Sequence, residues 1–158
     1  MKTIARNEIF DEKTTGTVAS QLQPTLTDLI ALGLMTKQAH WNVVGPHFRS
    51  LHLHLDEIYA NVQESVDVVA ERIATLAVSP NGQADEVSQE TTLSQLPSGF
   101  LKDVQVIDLM TERVAHTVHA IRERMAKIED VDTVTADLLH QVVADLEKHL
   151  WMLRSQGM

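Results

Sequence analysis

Residues 48–77 read FRSLHLHLDEIYANVQESVDVVAERIATLA. Phe48, Leu51, Leu55, Ile58, Val62, Val66, Val69, Ile73 and Leu76 recur there at steps of three and four, which is the apolar face of a helix packed in a bundle. Three further segments carry the same period, and the chain breakers fall between them. The segment before it runs from about Thr17 to Val44, with Leu22, Leu26, Leu29, Ile30, Gly33 and Met35 turned inward. Pro24 lies in its first two turns and predicts a late helix start or a kink, because proline has no N–H and its ring crowds the preceding turn. Val43-Val44-Gly45-Pro46 ends that segment. Residues 78–99 are polar and rich in turn formers, a crossover too long for a tight hairpin, with a short helical turn expected at Thr92–Leu96. The third segment, about Phe100 to Ile128, carries Phe100, Val104, Ile107, Val114, Val118, Ile121 and Met125. After the acidic connection Glu129–Thr133, with Asp132 or Thr133 as N-cap, the fourth runs to about Arg154 with Leu138, Val142, Leu146, Leu150 and Leu153.

The reading is one all-α domain over residues 1–158, with helices near 17–44, 48–77, 100–128 and 133–154 and no fifth helix. Two short connections and one long one make a four-helix bundle of the kind with a single long crossover. A chain of 158 residues is long enough to bury about two-thirds of its unfolded surface. The absence of cysteine excludes disulfides, thiolate metal sites and thiol catalysis. No apolar run is long enough to cross a membrane. MKTIARNEIFDEKTTG has no continuous apolar stretch of the secretory type, so a cytoplasmic placement is expected. A formal charge of −9 argues against a generic nucleic-acid binder. Eight histidines beside one tyrosine and three phenylalanines point instead to metal or proton chemistry.

The polar side of the quoted stretch carries that chemistry. With His52 at 0° and about 100° per residue, Asp56 falls near 40°, Asp67 near 60° and Glu71 near 100°, whereas the apolar stripe lies at about 240–320°. His52/Asp56 and Asp67/Glu71 are i,i+4 pairs, so each can reach one ion. Their centres are about 22 Å apart along a straight helix, too far for both pairs to share a metal within one chain. A second copy, antiparallel across a two-fold axis near Asn61 and Val62, would set His52/Asp56 of one chain beside Asp67/Glu71 of the other and produce two equal sites. Ala60, Ala70 and Ala74 on or beside this face would admit a close neighbour. Mixed nitrogen and oxygen ligands suit iron, manganese or zinc without choosing among them. A solvated polar face is the competing reading.

Lys37-Gln38-Ala39-His40-Trp41-Asn42, Gly45, Phe48, His52, Asp56-Glu57, Tyr59, Asp67 and Ala70-Glu71-Arg72 stand at spacings that together resemble the signature of the Dps family, the DNA-binding proteins from starved cells or miniferritins. The resemblance extends more loosely over all four helices. It implies a ferritin-like bundle assembled as a homododecamer around a hollow interior. It implies ferroxidase sites at two-fold interfaces, each with two irons, where Fe(II) is oxidised preferentially by hydrogen peroxide and stored as ferric mineral. The match gives His40, His52 and Asp56 to one subunit's share of the site and Asp67 and Glu71 to the partner's share. It adds His40, which helical angles alone do not place.

Trp41 beside His40 is a candidate electron donor, with a packed aromatic as the alternative. Asp130, Asp132 and Asp137 fall where the resemblance implies a three-fold pore admitting Fe(II), with helix capping as the rival role for Asp132. Glu57 and Glu64 lie on a third face and are candidates for mineral nucleation, against a simple solvated face. His47, His54, His116, His119, His140 and His149 are outside the signature; surface or packing roles are expected, with an accessory metal site as the alternative. The tails do not support DNA binding: Lys2, Arg6 and Lys13 are offset by Glu8, Asp11 and Glu12, and only Arg154 lies beyond Leu153 among the basic residues. Association with the nucleoid is left open on the family name alone. Two rival functions use the same features, a metal-dependent hydrolase and a non-enzymatic DNA-compacting protein.

Overall fold

The computed structural model describes residues 9–158. Along the chain come α1 (Glu12–Asn42), β1 (Val43–Val44), α2 (Phe48–Thr75), α3 (Ala84–Glu90), β2 (Leu101–Lys102), α4 (Asp103–Met125) and α5 (Thr133–Gln156). α1 packs chiefly on α2 and α4 on α5, and contact between α1 and α4 joins the two pairs. The expectation of no fifth helix is corrected: the described residues form five. The extra one, α3, lies in the crossover upstream of Thr92–Leu96, where Val87 is its one buried residue. Seven residues with one buried side chain carry no helical period that a sequence pattern could reveal.

α1 starts earlier than the proline suggests. The Asp11 side chain accepts from the Thr14 N–H at 2.7 Å and caps the helix, which then continues through Pro24. Tertiary burial outweighs the local cost of the proline: Val18, Leu22, Leu26, Leu29 and Leu32 flank it on the inner side with at most 1% exposure. Six stripe residues of α2 (Leu51, Leu55, Ile58, Val62, Val69 and Ile73) are fully buried, each contributing roughly 1.5–3 kcal/mol. Phe48 is an exception, partly exposed at the rim with its ring 4.9 Å from that of His52. In the third segment Phe100 and Val104 are exposed rather than inward; Ile107 is buried as expected, and Val106 and Met110 join it in the core. Phe100 precedes the helix and so has no helical phase; α4 begins only at Asp103.

The corner between α1 and α2 explains that start. Buried Asp103 accepts from the His47 N–H at 2.7 Å and from the Val104 N–H at 2.9 Å. Gly45 sits at φ 137°, and a Cβ there would lie 2.6 Å from the Asp103 carboxyl carbon, so both the conformation and the contact require glycine. Val43 and Val44 pair in parallel with Leu101 and Lys102. The crossover is therefore fastened at its far end to the α1–α2 corner.

Along its length, the crossover is held by buried polar groups. Asp28 of α1, fully buried, accepts from Arg124 Nη2 at 2.7 Å, the Thr92 N–H at 2.8 Å, Thr92 Oγ1 at 3.0 Å and Thr91 Oγ1 at 3.1 Å. Arg113 of α4 donates to the carbonyls of Ser94 and Gln95, each at 3.0 Å. No helix among the described residues is long and apolar enough to cross a membrane.

Where α2 meets α5, His54 and His149 are both buried, with His54 Nε2 3.2 Å from His149 Nδ1 and Gln156 Nε2 2.7 Å from His54 Nδ1. Burial pushes both imidazoles below the ordinary histidine range, and Glu57 works weakly against it. The folded pKa lies below the unfolded one, so the unfolded chain takes up protons first as pH falls. Stability is full above about pH 6.5 and declines below it until the folded pair titrates. A urea midpoint that drops between pH 7.5 and 5, with a shallower drop in His149→Gln, is the expected result. Equal slopes in both proteins would remove the pair from the pH response.

Candidate metal centre

α1 and α2 run side by side into the Gly45 corner, and this brings the last turn of one against the first turns of the other. His40, His52 and Asp56 each present a ligand atom there, all within 4.8 Å of one another. Among the described residues this is the one such group of histidine and acidic side chains. The rings of His40 and His52 stack with centroids 3.6 Å apart. His40 Nδ1 lies 3.0 Å from the His52 carbonyl oxygen, and His52 Nδ1 lies 3.0 Å from the His40 carbonyl oxygen. A carbonyl only accepts, so each Nδ1 carries the proton and donates. Each Nε2 is then left as an unprotonated nitrogen with a lone pair, the arrangement that orients a histidine for a metal.

Asp56 is half-exposed and already faces a cation. Lys37 Nζ donates to Asp56 Oδ1 at 2.7 Å, and His40 Nδ1 lies 3.4 Å from the same oxygen. The Lys37 ammonium holds the Asp56 carboxyl below the usual carboxylate range, with smaller help from His40 and His52. Lys37 also lies 5.1 Å from the Tyr59 ring centroid and 6.0 Å from that of Trp41. The sequence reading includes Lys37 in the signature but assigns it no role. Its reach across to Asp56 joins residues on different helices, so no period along one helix reveals it.

Asp67 and Glu71 do not join this group. Both are exposed, farther along α2. Trp41 is 65% exposed beside the cluster. Glu57, Glu64, Asp130 and Asp137 are exposed. Asp132 is different: it is 4% exposed, caps α5 through the Thr135 N–H and hydroxyl, and pairs with Arg72 Nη2 at 2.7 Å. Of the other histidines, His47, His116, His119 and His140 are exposed. Lys2, Arg6 and Glu8, used above in reading the N-terminal tail, lie outside the described residues.

A helical bundle with a long crossover, carrying two histidines and a carboxylate on facing helices, defines a ferritin-like protein, and the ferritin-like domain family matches the chain over residues 19–156. The DNA protection during starvation protein of Agrobacterium fabrum is 32% identical over 156 residues, covering 98% of this chain and 96% of that protein. The chain belongs to the Dps family. DNA protection during starvation protein 2 of Deinococcus radiodurans is 40% identical over 134 residues, 85% of this chain, which spans only 56% of that relative's length. The solved Dps of Mycobacterium smegmatis superposes with a TM-score of 0.92 at 31% identity, over 99% of this chain and 94% of that one.

Proposed function

We propose that this chain is the subunit of a cytoplasmic, iron-storing ferroxidase. The observation that carries it is the convergence of His40, His52 and Asp56 with both imidazoles already oriented by carbonyl oxygens. Family membership supports iron storage and iron oxidation in general. In this reading two Fe(II) bind at each site, with Asp67 and Glu71 of a two-fold-related subunit completing the ligands. Neutral imidazole suits Fe(II), and three carboxylates retain the harder Fe(III) product. Each Fe(II) gives one electron, and a pair reduces one hydrogen peroxide, with two protons, to two waters. Coupling both electrons to one peroxide avoids the one-electron step that releases hydroxyl radical. Twelve subunits enclose the ferric product, Glu57 and Glu64 seed it, and Trp41 supplies an electron to stray oxidant. Anaerobic Fe(II) titration followed by peroxide tests the whole reading. Two irons bound per site, two oxidised per peroxide, and a particle of twelve subunits are expected; failure to retain Fe(II) overturns it.

Lys37 sets the starting state of that site, since an arriving cation must displace its ammonium from Asp56. Lys37→Met is expected to tighten binding of Zn2+, an ion that adds no redox step, by about two- to fivefold, roughly the worth of one partly exposed ion pair. Calorimetry on the assembled protein reads it; unchanged or weaker binding would mean that Lys37 instead helps to place Asp56.

Asp130 and Asp137 are the proposed carboxylates of the pore, with Asp132 occupied as cap and ion-pair partner. Asp137→Asn is expected to slow Fe(II) oxidation severalfold at low iron while leaving saturating rates unchanged, because a ring of carboxylates concentrates cations. Identical rates at low iron in an assembled shell would leave Asp137 without this role.

A further inference from the structure

A second group of metal-capable side chains lies on α4, away from the cluster just described. His116, His119 and Glu123 fall within about 60° of arc on an ideal helix and line one surface cleft of about 380 Å3 with Thr92 and Lys127. His116 is oriented by the crossover. Its Nε2 lies 2.9 Å from Thr92 Oγ1, and Thr92 Oγ1 lies 3.0 Å from Asp28 Oδ2. Asp28 is paired with Arg124 and is therefore ionised, so the threonine proton goes to Asp28. Toward His116 the hydroxyl can then only accept, and His116 Nε2 must carry the proton. His116 Nδ1 is left with a lone pair. A carboxylate, a hydroxyl and an imidazole in series thus fix the tautomer, as the outer partners of metal-bound histidines do.

His119 and Glu123 make no hydrogen bond or ion pair among the described residues, and both are exposed, so their side chains are free to rotate. An i,i+3 and an i,i+4 step from His116 through His119 to Glu123 let all three reach one ion. The three ligand atoms are not within 4.8 Å of one another, so binding one ion takes rotation of the His119 and Glu123 side chains toward His116. Arg124 of the same cleft is neutralised by Asp28, and Lys127 can swing its exposed ammonium into water. We propose that His116, His119 and Glu123 form a second metal site, for a borderline divalent ion of the Zn2+ or Cu2+ class. Two imidazoles and one carboxylate are the donor set that such ions favour.

The experiment uses the assembled protein carrying His52→Ala and Asp56→Ala, which removes competition from the first cluster. Zn2+ is titrated by calorimetry into this background, into the background with His119→Ala, and into the background with His116→Asn. His119 has no partner to lose, so its variant keeps the fold. The background is expected to bind one zinc per chain that both added substitutions weaken. Removing an outer partner of a metal ligand costs about 10–100-fold in affinity, and a direct ligand should cost no less. No zinc bound by the background, or the same affinity and stoichiometry in all three proteins, would overturn the proposal. Loss in His116→Asn alone would also overturn it, since a site without His119 is not this one.

Discussion

Neither His52→Ala/Asp56→Ala nor Asp67→Ala/Glu71→Ala should oxidise Fe(II) rapidly, yet the two variants unfolded and assembled together should recover about a quarter of wild-type activity. His52/Asp56 and Asp67/Glu71 occupy one side of α2 but are separated by about 22 Å along it, and only the first pair joins His40. If each site takes the first pair from one chain and the second from a two-fold mate, either double variant breaks every site. A mixed pair has one site without those four ligands and one site with all of them. Random pairing makes half the pairs mixed, each with one working site of two. Native mass spectrometry should find mixed shells, and stopped-flow oxidation with peroxide should find the recovered rate. Mixed shells with no activity would sink the shared site and leave an intrasubunit centre or a solvated face.

Asp28→Ala should destabilise the bundle by about 3–5 kcal/mol, because it strands the Arg124 guanidinium in the interior. Asp28 is fully buried and accepts four hydrogen bonds, three of them from the crossover residues Thr91 and Thr92. Arg124 Nη1 already lacks a partner, so its Nη2 bond to Asp28 is its one link to a counter-charge. A fall in melting temperature on the order of 10 °C is expected. Pairing Asp28→Leu with Arg124→Met should recover much of the loss, since apolar replacement of both partners removes the unpaired charge. A loss below about 1 kcal/mol in Asp28→Ala would show that the crossover is held elsewhere, by Arg113 or by the β1–β2 pairing.

The bundle was legible because its helices bury one face each, and burial writes a three-four period into the chain. Leu51, Leu55, Ile58, Val62, Val69 and Ile73 were readable one by one for that reason. His52, Asp56, Asp67 and Glu71 were legible too, since one helix carries all four and its angles follow from residue number alone. α3 was not, being too short to show a period. Nor was Phe100, which precedes α4: where that helix begins is set by a contact between Asp103 and the distant His47.

What sequence by itself determined is therefore what one element can encode: the helical period, the breaks between helices, and which side of a helix is polar. The signature also supplied His40 as a candidate ligand, but only as part of a pattern. Tertiary structure decided every relation between elements. It stacked His40 on His52 and tied each ring to the other's carbonyl. It put Lys37 on Asp56, took Asp132 into an ion pair with Arg72, and linked His116 through Thr92 to buried Asp28. These pairings join residues up to 64 positions apart, as in the Asp28–Thr92 contact. No local periodicity relates such residues, because their distance is set by how the helices cross and not by the rise along any one of them.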